Sequence, residues 1–284
     1  AGYAALLGRP NVGKSTLLNR LIGQKISITA SKPQTTRHVI LGIQTLPEAQ
    51  IVYVDTPGLH RPGRRAMNRY LNRSAASVLG YVDVVVFLVE ALRWTAEDED
   101  VLQRLTEFAG PVVLAVNKVD RIADKQRLLP FLQEMAVKRQ FIEVVPLAAI
   151  NGDNVAALEQ VITRLLPEQG FLFPEDQITT SSERFLAAEL IREKLTRLLR
   201  EELPYALTVE IERFVEEGPL VRIHALIWVE RASQKGIVIG EKGATLREVG
   251  RQARQDLERM LDRKVYLETW VKVREGWSDD ERAL

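Results

Sequence analysis

The sequence predicts an α/β domain, a mostly parallel six-stranded sheet with helices on both faces, followed by a smaller α+β domain. Three observations carry this reading. Up to about residue 166, short β-branched runs alternate with amphipathic stretches; residues 167–182 break that rhythm; beyond them two strands neighbour each other in sequence. A length of 284 residues suits two domains. The expected division is 1–166, a linker at 167–182, and 183–284.

In chain order, the expected strands of the first domain are Tyr3–Leu7, His38–Ile43, Gln50–Val54, Asp83–Val89, Pro111–Val116 and Phe141–Val145. Several are apolar on both faces, as strands buried between helical layers require. Helical periodicity covers Ser15–Ile22, Arg65–Leu79, Ala96–Ala109, Lys125–Arg139 and Val155–Leu166. Pro167, Gly170, Pro174 and the polar run Thr179–Ser182 mark the linker. A helix at Glu183–Glu202 follows, then strands Ala206–Glu216 and Leu220–Arg231 across a Glu-Glu-Gly-Pro hairpin. A short helix, a glycine loop, a helix at Ala244–Leu261 and a strand at Val265–Val273 complete an arrangement expected to be antiparallel. Leu246, Val249, Ala253, Leu257 and Met260 form the buried stripe of that long helix.

Composition narrows the function. With no cysteine, disulfides, thiolate metal sites and cysteine nucleophiles are excluded, and a total of three histidines argues against a multi-histidine metal cage. No apolar run approaches the roughly 20 residues that span a bilayer. No signal-peptide pattern is seen, and because the chain opens on Ala1-Gly2 its amino end is left unjudged. A formal charge of +1 argues alone against nucleic-acid binding. Its distribution argues otherwise: residues 1–80 hold 11 Lys/Arg against 2 Asp/Glu, and residues 231–264 hold 9 against 5.

Gly8-Arg-Pro-Asn-Val-Gly-Lys-Ser15 lies between a strand and a helix and matches the phosphate-binding loop. The amides of Gly8, Asn11, Val12, Gly13 and Thr16 are placed to ring phosphates at a helix amino end. Lys14 would reach the β- and γ-phosphates and the Ser15 hydroxyl would ligate Mg²⁺. Asp55-Thr56-Pro57-Gly58 ends a strand, so Asp55 can hold the metal and the Gly58 amide can sense the γ-phosphate. Asn117-Lys118-Val119-Asp120 ends another. One carboxylate at Asp120 can accept both the N1–H and the 2-amino group of guanine, which adenine does not offer, so the base expected is guanine.

These three motifs resemble those of the translation-factor-related GTPases. The wording GRPNVGKS, Gln34-Thr35-Thr36-Arg37, DTPG-Leu59-His60 and NKVD is similar to the Era family, as are Phe173-Pro-Glu-Asp-Gln-Ile-Thr and Trp270-Val-Lys-Val-Arg-Glu-Gly-Trp-Ser. The resemblance covers essentially the whole chain. It implies a P-loop GTPase domain joined to a type II KH RNA-binding domain, with GTP and GDP as ligands and Mg²⁺ as cofactor. It places a first switch at Gln34–His38, where Thr36 is favoured over Thr35 as metal ligand, and a second switch across Asp55, Thr56, Pro57 and Leu59. It places a further guanine loop at Ala148 and Ala149, where many members carry serine in place of Ala148. Leu59 stands where Ras-like enzymes use a glutamine to orient water. Asn11 is the residue that lets related enzymes use K⁺.

In the second domain Gly236, Ile239, Gly240, Glu241, Lys242, Gly243 and Arg247 surround a GxxG loop, which in KH domains lets a nucleic-acid backbone approach closely. Arg259 and Arg263 read as solvated. The resemblance implies binding to 16S ribosomal RNA near its 3′ end during 30S subunit assembly, in a monomeric cytoplasmic protein. Arg61, Arg64, Arg65, Arg69 and Arg73 form a second basic stretch, which the sequence leaves open to RNA, to peripheral contact with the inner membrane face or to water alone. Two other readings remain: a GTPase whose second domain binds protein or membrane, and an RNA-binding factor that senses nucleotide without turnover.

Overall fold

The computed structural model describes residues 1–30, 32, 35–58, 71, 77–199, 203 and 206–275. Gln34, Leu59, His60, the arginines from Arg61 to Arg73 and most of the Arg65–Leu79 helix lie outside them. Contacts divide the chain into two units. The first is built from Ala1–Ser27 and the described residues from Thr36 to Thr180; the second begins at Ser181 and takes in Ile28–Thr35.

The first unit carries a six-stranded sheet in the order β2-β3-β1-β4-β5-β6. Its strands are β1 (Gly2–Leu7), β2 (Ile40–Thr45), β3 (Gln50–Asp55), β4 (Val84–Glu90), β5 (Val112–Asn117) and β6 (Glu143–Pro146). All pairings are parallel except β2 with β3. β3, β5 and all of β4 but its last residue are buried, because helices cover both faces. Those helices include α1 (Lys14–Ile22), α2 (Ala96–Arg104), α3 (Leu128–Ala136) and α4 (Val155–Leu165). Parallel strands send their carboxyl ends to one edge, so the loops after β1, β3, β4 and β5 open together.

The segment expected to be a linker is pinned along the edge of this sheet. The N–H of Ile43 donates to the carbonyl of Ile178 at 2.8 Å, and Thr179 Oγ1 donates to the carbonyl of Leu41 at 2.7 Å. Gln50, fully buried, accepts the N–H groups of Leu172 and Phe173 at 2.8 and 3.0 Å and donates back to the carbonyl of Phe173 at 2.9 Å. The physical reason is the edge strand, whose unpaired backbone groups need partners.

The second unit has a three-stranded sheet, β7 (Leu207–Glu217), β8 (Leu220–Val229) and β9 (Lys264–Val273), with α5 (Glu183–Leu198), α6 (Ala232–Ile239) and α7 (Ala244–Leu261). The antiparallel expectation holds for β7 with β8 only; β9 runs parallel to β8. Helices α6 and α7 form the crossover that brings the chain back to the starting end of β8. Leu190, Ile191, Ile223, Ile227, Val249 and Leu257 sit at the centre of its core. α5 also carries buried charge: Glu193 accepts the N–H of Thr29 at 3.0 Å, and Arg192 pairs with Glu189 at 2.6 Å. Among the described residues, no helix is long and apolar enough to cross a membrane.

Gln50→Ala strips four hydrogen bonds from a buried site, the three with Leu172 and Phe173 and one donated to Thr45 Oγ1 at 3.0 Å. The expected loss is about 1–3 kcal/mol, read by urea denaturation, together with faster proteolysis within residues 167–180.

Candidate nucleotide site and glycine-loop groove

The phosphate loop follows β1. Gly13 has φ of +109° and caps α1 without a side-chain hydrogen bond, which leaves the helix amino end open to an anion. A Cβ on Gly13 would fall 2.2 Å from Asn117 Nδ2, so only glycine fits. Lys14 is buried, and its Nζ donates to the carbonyls of Gly8 and Arg9 at 3.0 Å each. Burial lowers its pKa to about 8 against the partial support of Asp55.

Asp55, fully buried at the end of β3, collects hydroxyls. Its Oδ2 accepts Ser15 Oγ at 2.7 Å and Ser27 Oγ at 2.9 Å, and Ser15 Oγ lies 2.9 Å from Thr36 Oγ1. Thr35 turns the other way and donates to the carbonyl of Lys32 at 2.6 Å. Asp55 Oδ1 has no partner among the described residues, and burial raises the carboxyl pKa. One carboxylate with an open oxygen beside two hydroxyls fits Mg²⁺, a cation that keeps waters and takes phosphate oxygens. Among the described residues no three His, Asp or Glu gather to hold a metal by themselves.

Thr56 is buried and donates to the carbonyl of Leu6 at 2.8 Å, which fixes the turn after β3. A Cβ on Gly58 would meet the backbone of Pro10 at 2.8 Å, so that turn packs directly on the phosphate loop. On the base side, Asn117 Nδ2 donates to the carbonyl of Val12 at 2.8 Å and its Oδ1 accepts the N–H of Ala149 at 3.0 Å. Lys118 reaches the carbonyl of Asn11 at 2.8 Å. Asp120 is exposed on a short 3₁₀ turn beyond it. Ala148 and Ala149 are buried, and Ala148 contributes no hydroxyl. Arg20 donates to the carbonyl of Ala149 at 3.3 Å and also to that of Ile150.

In the second unit Gly240 (φ +73°), Lys242 (φ +47°) and Gly243 (φ +79°) form a tight loop between α6 and α7. A Cβ on Gly240 would strike Thr245 Oγ1 at 2.2 Å. Glu241, Lys242 and Arg247 are exposed and Ile239 is half-buried. A groove of about 460 Å³ beside the loop is lined by Gly243, Leu246, Arg247, Gly250, Arg251, Arg254, Leu267 and Thr269. Arg259 pairs with Asp256 at 2.7 Å and Arg263 pairs with Glu216, in keeping with solvated roles.

Sequence reasoning brought together most of these groups and missed Ser27 and Arg20; it names Arg251 and Arg254 among the basic residues of the long helix without assigning them to a groove. The two groove arginines had a readable signal, since 247, 251 and 254 recur at helical spacing on one face. Ser27 had none, because its approach to Asp55 depends on the path of the loop after α1.

The fold and site define a P-loop GTPase joined to a KH domain. The family described as 50S ribosome-binding GTPase matches residues 3–118, and the KH domain family matches residues 202–278. GTPase Era of Ectopseudomonas mendocina is 57% identical over 283 residues, covering 100% of this chain and 95% of that protein. The same protein of Pseudomonas aeruginosa is 56% identical, covering 100% and 93%. Among solved structures, Era in complex with MgGDPNP and nucleotides 1506–1542 of 16S ribosomal RNA matches at a TM-score of 0.95 and 40% identity, covering 99% of this chain and 96% of the other. A single-substitution variant of Aquifex aeolicus Era bound to GDP·AlF₄⁻ matches at 0.94 and 40%, with the same coverage. The chain belongs to the Era family of GTPases.

A nucleotide polyphosphate should restore the full charge on Lys14. Binding should therefore take up a proton between about pH 8, the lowered pKa, and the ordinary lysine value of 10.5, and none near pH 7. Calorimetry of GDP binding in buffers of different ionisation enthalpy measures this.

Proposed function

We propose that this GTPase binds Mg²⁺ and GTP and in that state binds 16S ribosomal RNA near its 3′ end, assisting 30S assembly in the cytoplasm. The Ser15–Asp55–Thr36 oxygen cluster carries the first half of the reading. The basic groove beside Gly240–Gly243 supports the second, as does the Era relative solved with MgGDPNP and nucleotides 1506–1542 of 16S ribosomal RNA.

On this reading the amides from Gly8 to Thr16 and the Gly58 amide cradle the phosphates, while Lys14 turns from the loop carbonyls to the β- and γ-phosphates. Ser15, Thr36 and Asp55 would hold Mg²⁺, which would supply charge neutralisation to the phosphates when bound. Asp120 reads the guanine edge, and Asn117 holds the loops around it, its Oδ1 accepting the Ala149 amide. Thr35, Arg37, His38 and Pro57 belong to the segments that the γ-phosphate orders. Asn11 is the residue that would hold K⁺ as a second cation; equal hydrolysis rates in K⁺ and Na⁺ would remove it from the scheme.

In the second unit, Gly236, Gly240 and Gly243 let the RNA backbone approach, Ile239 supplies apolar contact, and Lys242 and Arg247 contact phosphates. Arg251 and Arg254 extend that basic face.

Gly243→Asp puts a carboxylate at the loop in open space but at positive φ. It should lower affinity for a 16S 3′-end oligonucleotide at least tenfold and leave GTP hydrolysis unchanged; unchanged RNA affinity, by filter binding, would overturn the KH assignment. Asp120→Asn should shift preference from guanosine to xanthosine nucleotides by about two orders of magnitude or more. Competition binding decides it, and retained GTP selectivity would show the base pocket to be elsewhere.

A further inference from the structure

Strand order puts β4 between β1 and β5, so the end of β4 falls between the phosphate loop and the guanine loop. The residue there is Glu90. Its Oε2 accepts Arg9 Nη2 at 2.9 Å and Lys118 Nζ at 3.2 Å. Arg9 is the second residue of the phosphate loop, and its Nε is held at 3.0 Å by Asp98 Oδ2. Asp98 is fully buried and also accepts the N–H and hydroxyl of Thr95 at 2.9 and 2.8 Å, fixing the first turn of α2.

Lys118 meanwhile donates to the carbonyl of Asn11. One carboxylate thus holds a cation from each nucleotide loop, and one of those cations spans both loops. Burying Arg9 and Asp98 costs solvation that ion pairing seldom repays in stability alone, so a buried network of this kind is better explained by the geometry it fixes.

We propose that Glu90 is a positioning residue for guanine-nucleotide binding, holding Arg9 and Lys118 so that the phosphate and guanine loops keep one fixed separation. This rests on the assignment of Lys118 to the guanine loop. Glu90 itself touches no ligand; it acts by setting in advance the two surfaces that the nucleotide bridges. Its loss should weaken binding equally in ground and transition states, which raises KM and leaves kcat in place.

The test uses the full chain with a fluorescent GDP analogue and steady-state GTP hydrolysis. Glu90→Gln keeps the shape and removes the charge. It should speed GDP release and raise KM for GTP by about tenfold, the size of one charge-assisted hydrogen bond, with kcat within about twofold. Because Glu90 acts in part through Lys118, Glu90→Gln should add clearly less than its full effect when Lys118 is already alanine, the remainder passing through Arg9. A purely structural role would instead lower the urea midpoint, cut the active fraction, and add in full to Lys118→Ala; that result overturns the proposal. Unchanged release in Glu90→Gln beside faster release in Lys118→Ala also overturns it. Unchanged release in Lys118→Ala overturns the guanine-loop assignment itself. Should Glu90→Gln fail to fold, Glu90→Asp, which keeps the charge but shortens its reach by one methylene, is expected to give an intermediate release rate; a wild-type rate there counts against the proposal.

Discussion

The side-chain amide of Asn117 joins the parts of the candidate nucleotide site. Its Nδ2 holds the carbonyl of Val12 in the loop after β1 and its Oδ1 holds the N–H of Ala149 in the loop after β6, at 2.8 and 3.0 Å. The approach is close enough that Gly13 cannot carry a side chain. Two segments 105 and 32 residues away in sequence are thereby fixed to one another through a single planar group. Parallel strand order makes this possible, since only strands running the same way deliver their following loops to one edge.

The same edge explains how charge is managed. Arg9, Lys14 and Lys118 crowd a small volume, and like charges repel strongly where water is excluded. Asp55, Glu90 and Asp98 are interleaved with them. The shifts follow from that environment: burial lowers Lys14, and Glu90, which burial alone would raise, falls below the ordinary carboxylate value through hydrogen bonds from Arg9 and Lys118. A local excess of positive charge in the first 80 residues is therefore partly balanced by carboxylates that arrive from strands and helices further along the chain.

Much of this was legible in the sequence. Gly13, Lys14 and Ser15 at fixed spacing, and Asp55 and Asn117 each closing a β-branched run, place themselves at strand ends by period and position alone. Among the described residues, element positions agreed with β-branched runs and helical periodicity to within a few residues, with helix ends tightening into 3₁₀ turns at Leu105–Glu107 and Lys125–Arg127. Glu90 and Asp98 were not legible, because nothing local distinguishes an acid at a strand end from a solvated one; their partner Arg9 lies more than 80 residues away. The direction of β9 was hidden for a related reason. Adjacent strands suggest hairpins, and only the length of chain from 230 to 263, enough for two helices, allows a parallel return.

The strap formed by residues 167–180 bears on how the first unit behaves when cut away from the rest. Its backbone pairs with β2, an edge strand bearing Ile40, Leu41 and Ile43. A truncation after residue 166 would leave that edge bare and strip a buried glutamine of three of its four hydrogen bonds, inviting strand-to-strand association between copies. A truncation after Thr180 retains the cover. The first unit thus ends at Thr180, fifteen residues beyond the last residue of α4.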